Sequence, residues 1–78
     1  MKIHELKIDP EYYKAVLFGY KRFEVRKNDR DFKIYDILLL REYDRNKNTY
    51  TGKELRKKIY YILDNQEYLR EGYVILGL

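Results

Sequence analysis

Residues 19–26 (GYKRFEVR) place three charged side chains of complementary type within a few positions. In an extended strand, residues two apart point to the same face, so Glu24 and Arg26 share one face and Lys21 stands at its entrance. Arginine donates paired hydrogen bonds to a phosphate, carboxylate or base edge, lysine adds a compact charge, and glutamate accepts from an amino group. We therefore expect Lys21, Glu24 and Arg26, with Arg22 beside them, to bind an anionic or hydrogen-bonding ligand. An exposed ladder of ion pairs is the alternative explanation.

A second group of cations forms the densest basic patch of the chain: Lys53, Arg56, Lys57 and Lys58. With Tyr60 and Tyr61 beside them, they suit the backbone and bases of a nucleic acid. Lysines that guard a strand edge against pairing with another sheet explain the same pattern.

The chain has one histidine and no cysteine, which excludes disulfides, thiolate nucleophiles and cysteine-based zinc sites. We expect His4 at the rim of the cleft, hydrogen-bonded to Glu24. Asp29 and Asp31 offer too few oxygen ligands for a calcium loop, so no metal and no other cofactor is expected.

The elements that position these residues follow from hydrophobic spacing. His4, Leu6 and Ile8 alternate with polar residues, which predicts a first strand. Asp9-Pro10 predicts a helix start, with Asp9 accepting from free backbone N–H groups, and Gly19 with a positive φ angle predicts the helix end. We expect this helix to bury one stripe, which comprises Tyr13, Val16, Leu17 and Tyr20.

The rest of the chain predicts strands. Phe23 and Val25 are expected on the buried face of the strand that follows the helix, and Ile37–Leu40 predicts a strand covered on both sides. A turn is expected at 44–48, a bend at Thr51-Gly52, one long strand over 55–63 and a last strand over 73–78. The fold class is therefore α+β, a barrel-like sheet of five or six strands with one main helix.

Length and charge further limit the number of domains and the kinds of partner. A chain of 78 residues makes one domain, 1–78, and its net charge of +4 permits an anionic partner without demanding one. No apolar run approaches the length that spans a bilayer, and the first residues do not form a signal peptide, so a cytoplasmic location is expected. Ten tyrosines provide rings for a core and for stacking on bases.

The motif Gly-x-Lys-x-x-Glu-x-Arg, with a strand and helix before it and the strand Asp36–Leu40 after it, resembles the ASCH domains of the PUA-like superfamily. The chain also resembles a family of small ASCH-like proteins of bacteria and phages over nearly its whole length, in segments such as 23–32 (FEVRKNDRDF) and 72–76 (GYVIL). The resemblance implies a small β-barrel with a cleft beside the helix, lined by Lys21, Glu24 and Arg26, that binds RNA or nucleotides.

Two positions depart from the ASCH pattern. Tyr35-Asp36 stands where ASCH domains usually have Gly-Asp, so we expect a strained Tyr35 or an altered turn. In the branch of the superfamily that hydrolyses N4-acetylcytidine, a Lys and a Thr of the motif act with a more distant Glu. Lys21 fits that pattern, whereas Glu24 occupies the Thr position.

Three functions follow as hypotheses. The first is an RNA- or nucleotide-binding module that uses Lys21, Glu24, Arg26, His4 and Arg22. The second is a small amidohydrolase acting on a modified nucleoside such as N4-acetylcytidine, with Lys21 and Glu24 as catalytic residues. The third is a phage or bacterial factor that binds another protein, and a monomer or weak dimer is expected in each case.

Overall fold

Six strands and one helix account for the secondary structure of the computed structural model, which describes residues 1–78. In chain order they are β1 (Ile3–Ile8), α1 (Pro10–Leu17), β2 (Phe23–Lys27), β3 (Ile37–Asp44), β4 (Thr49–Lys58), β5 (Tyr61–Leu63) and β6 (Tyr73–Gly77). These elements confirm the α+β class, the prediction of five or six strands and the helix after the first strand. The strands form two three-stranded sheets, ordered β1-β3-β4 and β2-β6-β5, and not a closed barrel.

The two sheets are joined where a single long strand was predicted. β4 ends at Lys58, and β5 begins at Tyr61 in the other sheet. Between them Ile59 is fully buried; its N–H donates to the Asp36 carbonyl at 2.9 Å and its carbonyl accepts from the Tyr35 N–H at 2.7 Å. The apolar residues at 55–63 therefore reflect packing before and after the point where the chain crosses from one sheet to the other. The prediction of one continuous strand was wrong.

The hairpin between β3 and β4 has its turn at 45–48, within the predicted segment. The bend predicted at Thr51-Gly52 lies instead inside β4. The pairing of β3 with β4 changes register between Arg41 and Tyr43, and Gly52 nearby has a φ of +94°. The glycine thus accommodates an irregularity in the ladder, and the strand continues through it.

One apolar core lies under both sheets and contains ten buried hydrophobic residues: Leu6, Ile8, Tyr13, Val16, Phe32, Leu38, Leu40, Ile59, Val74 and Leu76. From α1 only Tyr13 and Val16 are buried. Leu17 and Tyr20 were predicted in the same stripe but are 52% and 87% exposed, because the helix ends at Leu17 and the chain turns away at Gly19, whose φ is +82°. The helix therefore buries a narrower stripe than predicted.

The turn before β3 carries the strain expected at Tyr35, whose φ is +74°. Asp36 holds this turn, since its carboxylate accepts from the backbone N–H of Lys33 at 3.1 Å and from that of Lys2 at 3.0 Å. A left-handed non-glycine residue costs about 1 kcal/mol, and these hydrogen bonds fix the conformation that Tyr35 must adopt. No helix of the chain has the length and apolar character needed to cross a membrane.

Candidate ligand-binding site

The charged face of β2 is its inner face. Glu24 is 4% exposed, while Phe23 and Val25 are 44% and 50% exposed, so the prediction that these two apolar residues are buried was wrong. The reason lies in the partner strand: Glu24 and Arg26 stand opposite Leu76 and Val74 of β6, both of which belong to the core. Residues directly opposite one another share a face of the sheet, so β6 turns the charged residues inward.

The buried carboxylate of Glu24 is balanced by two cations. Lys21 Nζ donates to Glu24 Oε1 and, at 2.7 Å, to the carbonyl of Phe23. Arg26 Nε donates to Glu24 Oε2 at 3.1 Å, and Nη2 of the same guanidinium donates to the Lys7 carbonyl at 2.8 Å. Because a buried charge is costly without such partners, Lys21, Glu24 and Arg26 form one unit, the charged triad.

The charged triad lines a cleft of about 430 Å³ beside α1, which we call the motif cleft. Its lining consists of Lys7, Ile8, Asp9, Tyr12, Lys21, Phe23, Glu24, Val25, Arg26 and Arg45. This volume falls in the lower part of the range found for small-molecule sites. The rings of Tyr12 and Phe23 have their centroids 5.6 Å and 5.0 Å from Lys21 Nζ, so aromatic surfaces adjoin the cation.

Seven of these ten lining residues were not predicted as part of the site, Asp9, Tyr12 and Arg45 among them. Asp9 was expected to cap α1, but its side chain makes no cap hydrogen bond; Oδ1 accepts from Arg45 Nε at 2.6 Å instead. That hydrogen bond raises the pKa of the Arg45 guanidinium above its usual value. Arg45 and Tyr12 reach the cleft from a hairpin turn and from the helix, and no spacing within residues 19–26 could have indicated them.

His4 lies away from the motif cleft, contrary to the prediction. It is 6% exposed, its Nε2 is 2.8 Å from Asp36 Oδ2, and its ring packs against Phe32 with centroids 4.7 Å apart. The hydrogen bond with His4, together with that from the Lys2 N–H, lowers the pKa of the Asp36 carboxyl from 3.8 to about 2. His4 therefore belongs to the structure around the Tyr35 turn and not to the rim of the cleft.

The predicted basic patch is divided by the structure. Arg56, Lys57 and Lys58 line a second cleft of about 520 Å³, together with Arg22 and Lys21, and we call it the basic cleft. Lys53 is exposed on β4 and lies outside it. Lys21 lines both clefts, so the two meet at this side chain. No group of three or more His, Cys, Asp or Glu side chains is placed to hold a metal ion.

Comparison with known proteins adds a family and a phage relative. The family described as "Domain of unknown function (DUF3850)" matches residues 3–78. An "Uncharacterized 12.9 kDa protein in GpA 3'region" of Escherichia phage P2 is 39% identical over 75 residues. That alignment covers 96% of this chain and 66% of the phage protein, so the chain spans just under two thirds of its relative's length.

Proposed function

The chain belongs to the DUF3850 family, and from this premise and the geometry of the motif cleft we propose that it binds a nucleotide, free or within RNA. The observation that carries the proposal is the pairing of positioned cations with exposed rings in one cleft of small-molecule size. Tyr12 and Phe23 are 46% and 44% exposed, and flat rings of this kind stack on bases. Lys21 and Arg26 then supply hydrogen-bond donors at the edge of the stacked base or to its phosphate.

Within the charged triad, the hydrogen bonds that each side chain already makes determine its role in binding. Lys21 has three N–H donors, of which two are used within the protein. Arg26 has five; its Nε and Nη2 face Glu24 Oε2 and the Lys7 carbonyl, which leaves the two donors of Nη1. The remaining donors are available to acceptor atoms of a ligand. Both oxygens of Glu24 face the cations, so Glu24 is a positioning residue that holds the donors in place.

An ASCH-like relationship is part of the same proposal. The strand–helix–strand order, and a cleft beside α1 lined by the Lys, Glu and Arg of the motif, are the features that this relationship implies. The two separate sheets are the feature that departs from a barrel.

The proposal predicts that removing either cation weakens nucleotide binding at least tenfold, because a hydrogen bond to a charged group contributes about 1.5–3 kcal/mol. The variants are Lys21→Met and Arg26→Met, which keep an apolar stem. Lys27→Met is the matched control, since Lys27 is an exposed lysine of β2 outside the motif cleft. Binding is measured by amide NMR titration of the folded proteins with the four ribonucleoside monophosphates, and shifts are expected at residues 19–26 and at Tyr12.

Two outcomes would count against this function. Nucleotides that produce no shifts at the motif cleft, or affinities that stay the same in both cation variants, would reject it. Release of acetate from N4-acetylcytidine by the native protein, but not by Lys21→Met, would favour the amidohydrolase instead. Capture of a host protein by a chain that binds no nucleotide would favour the interaction factor.

A further inference from the structure

The basic cleft carries five cations and no carboxylate side chain. Its lining consists of Val16, Gly19, Lys21, Arg22, Arg56, Lys57, Lys58, Tyr60 and Leu78. Elsewhere in the chain the arginines of the sheets are paired, for example Arg26 with Glu24 and Arg41 with Glu5. The basic cleft therefore concentrates positive side-chain charge that no acidic side chain of its lining balances.

Four of these five cations have no acidic partner: Arg22, Arg56, Lys57 and Lys58 form no ion pair. Like charges around one concavity repel each other, and a concavity lined by one sign of charge concentrates ions of the opposite sign. An anion bound there would relieve the repulsion. The arrangement thus indicates a negatively charged ligand.

The end of α1 offers these cations few free acceptors. Of its last four carbonyls, those of Lys14, Ala15 and Val16 accept from the backbone N–H groups of residues 18–21. The Gly19 carbonyl accepts from Arg22 Nε at 3.2 Å, which leaves the terminal nitrogens of that guanidinium available. The cations of the basic cleft therefore retain donors for a ligand.

Protection of a strand edge accounts for the cations of β4 but not for Arg22. β4 is an edge strand of its sheet, and charged side chains on such a strand, whether they point outward or inward, prevent pairing with another sheet. Here Lys57 is half-buried, and the cations of β4 surround one concavity with Arg22, which comes from the segment after α1. Two distant parts of the chain contribute the same charge to the same cleft.

We propose that the basic cleft binds the phosphodiester backbone of a single-stranded polynucleotide, one base of which occupies the motif cleft. This rests on the proposed function, which it extends from a nucleotide to a strand. Lys21 lines both clefts, and its third N–H is free, so it connects the base to the neighbouring phosphate. Tyr60, 62% exposed in the lining of the basic cleft, offers a ring for a further base. Stacking on these rings requires unpaired bases, which favours a single strand over a duplex.

The test compares a double variant with a matched control. Arg56→Gln/Lys58→Gln removes two exposed cations of the basic cleft, and Lys27→Gln/Lys47→Gln removes two exposed cations that line neither cleft. All four substitutions lie at exposed positions, and thermal unfolding verifies that both variants fold. Fluorescence anisotropy measures the affinity for a labelled ten-nucleotide RNA, the corresponding DNA and the RNA duplex, each at several salt concentrations.

We expect the double variant to bind the RNA strand at least tenfold more weakly, and the slope of log affinity against log salt to decrease by about 1.4, as for two lost phosphate contacts. The control should change affinity less than twofold, and a nucleoside without phosphate should bind all three proteins equally. Equal affinity for RNA and DNA would show that the protein recognises the phosphates and bases. A preference for RNA would show that it also contacts the 2′-hydroxyl groups. Both results support a polynucleotide ligand.

Other outcomes overturn the proposal. If the double variant and the control bind the RNA strand with equal affinity, the basic cleft does not bind the phosphodiester backbone. The proposed function would still stand in that case, provided that mononucleotides continue to shift the NMR signals of residues 19–26. Displacement of the RNA by polyglutamate at equal charge concentration would assign the basic cleft to an acidic protein. If the double variant weakens binding while no ligand shifts Phe23–Arg26, the proposed function fails and the basic cleft is a separate phosphate site.

Discussion

Two buried carboxylates differ in what surrounds them. Glu24 and Asp36 are 4% and 3% exposed, yet Glu24 is held by the flexible side chains of Lys21 and Arg26, whereas Asp36 is held by two backbone N–H groups and His4. Backbone donors are fixed by the fold and cannot turn to a ligand. Long cationic side chains that are 17% and 25% exposed can do so. The comparison indicates a structural role for Asp36 and, under the proposed function, a positioning role for Glu24.

Asp36→Asn should produce the largest effect, a loss of about 3 kcal/mol in the free energy of unfolding, because several donors lose a charged acceptor. Urea unfolding at neutral pH measures it. The nucleotide-induced NMR shifts at residues 19–26 should keep their pattern in the variant that remains folded. A loss of less than about 1 kcal/mol would contradict the structural role of Asp36.

Glu24→Gln, in contrast, should change ligand binding more than it changes stability. We expect a loss of about 1 kcal/mol in stability, since Lys21 and Arg26 can turn to water when their shared acceptor is weakened. The ratio of nucleotide affinity to inorganic phosphate affinity should fall about tenfold, because the cations remain but are no longer positioned. Because both ligands are anions, the lost negative charge changes both affinities in the same direction, and taking their ratio cancels that contribution. An unchanged ratio would show that Glu24 does not position the donors.

A further effect of Asp36 is expected in acid. The folded state lowers the pKa of Asp36 to about 2 from 3.8, so its contribution to stability is present above pH 4 and is lost as the pH falls toward 2. The stability difference between the native protein and Asp36→Asn should therefore shrink from pH 5 to pH 2.5, as measured by urea unfolding at each pH. The other carboxylates titrate in both proteins, so a difference that stays constant would contradict the lowered pKa.

Local signals in the sequence predicted many of the elements. Asp9-Pro10 marks the start of α1, Gly19 marks the turn after it, and the polar run at 44–48 marks a hairpin. These features depend on backbone angles and on turn chemistry within a few residues. Residues 19–26 were also sufficient to bring Lys21, Glu24 and Arg26 together, because their spacing along one strand and its entrance determines that proximity.

The errors arose where a distant part of the chain decides the structure. Hydrophobicity placed Phe23 and Val25 inside, but β6 determines which face of β2 is buried, and only the pairing with Val74 and Leu76 shows it. In the same way, His4 meets Asp36 because β1 runs parallel to β3, a register that the sequence of β1 does not contain. Alternation alone identifies two faces of a strand without stating which one meets the core.

The pairing of β2 with β6 also determines when the motif cleft can form. β2 is an edge strand whose only neighbour is β6, and this ladder joins Phe23 to Gly77. During translation the motif residues leave the ribosome early, yet the strand that turns Glu24 and Arg26 inward is synthesised much later. A nascent chain therefore presents the motif without its cleft, and under the proposed function a ligand can bind only after residues 73–77 have emerged and paired.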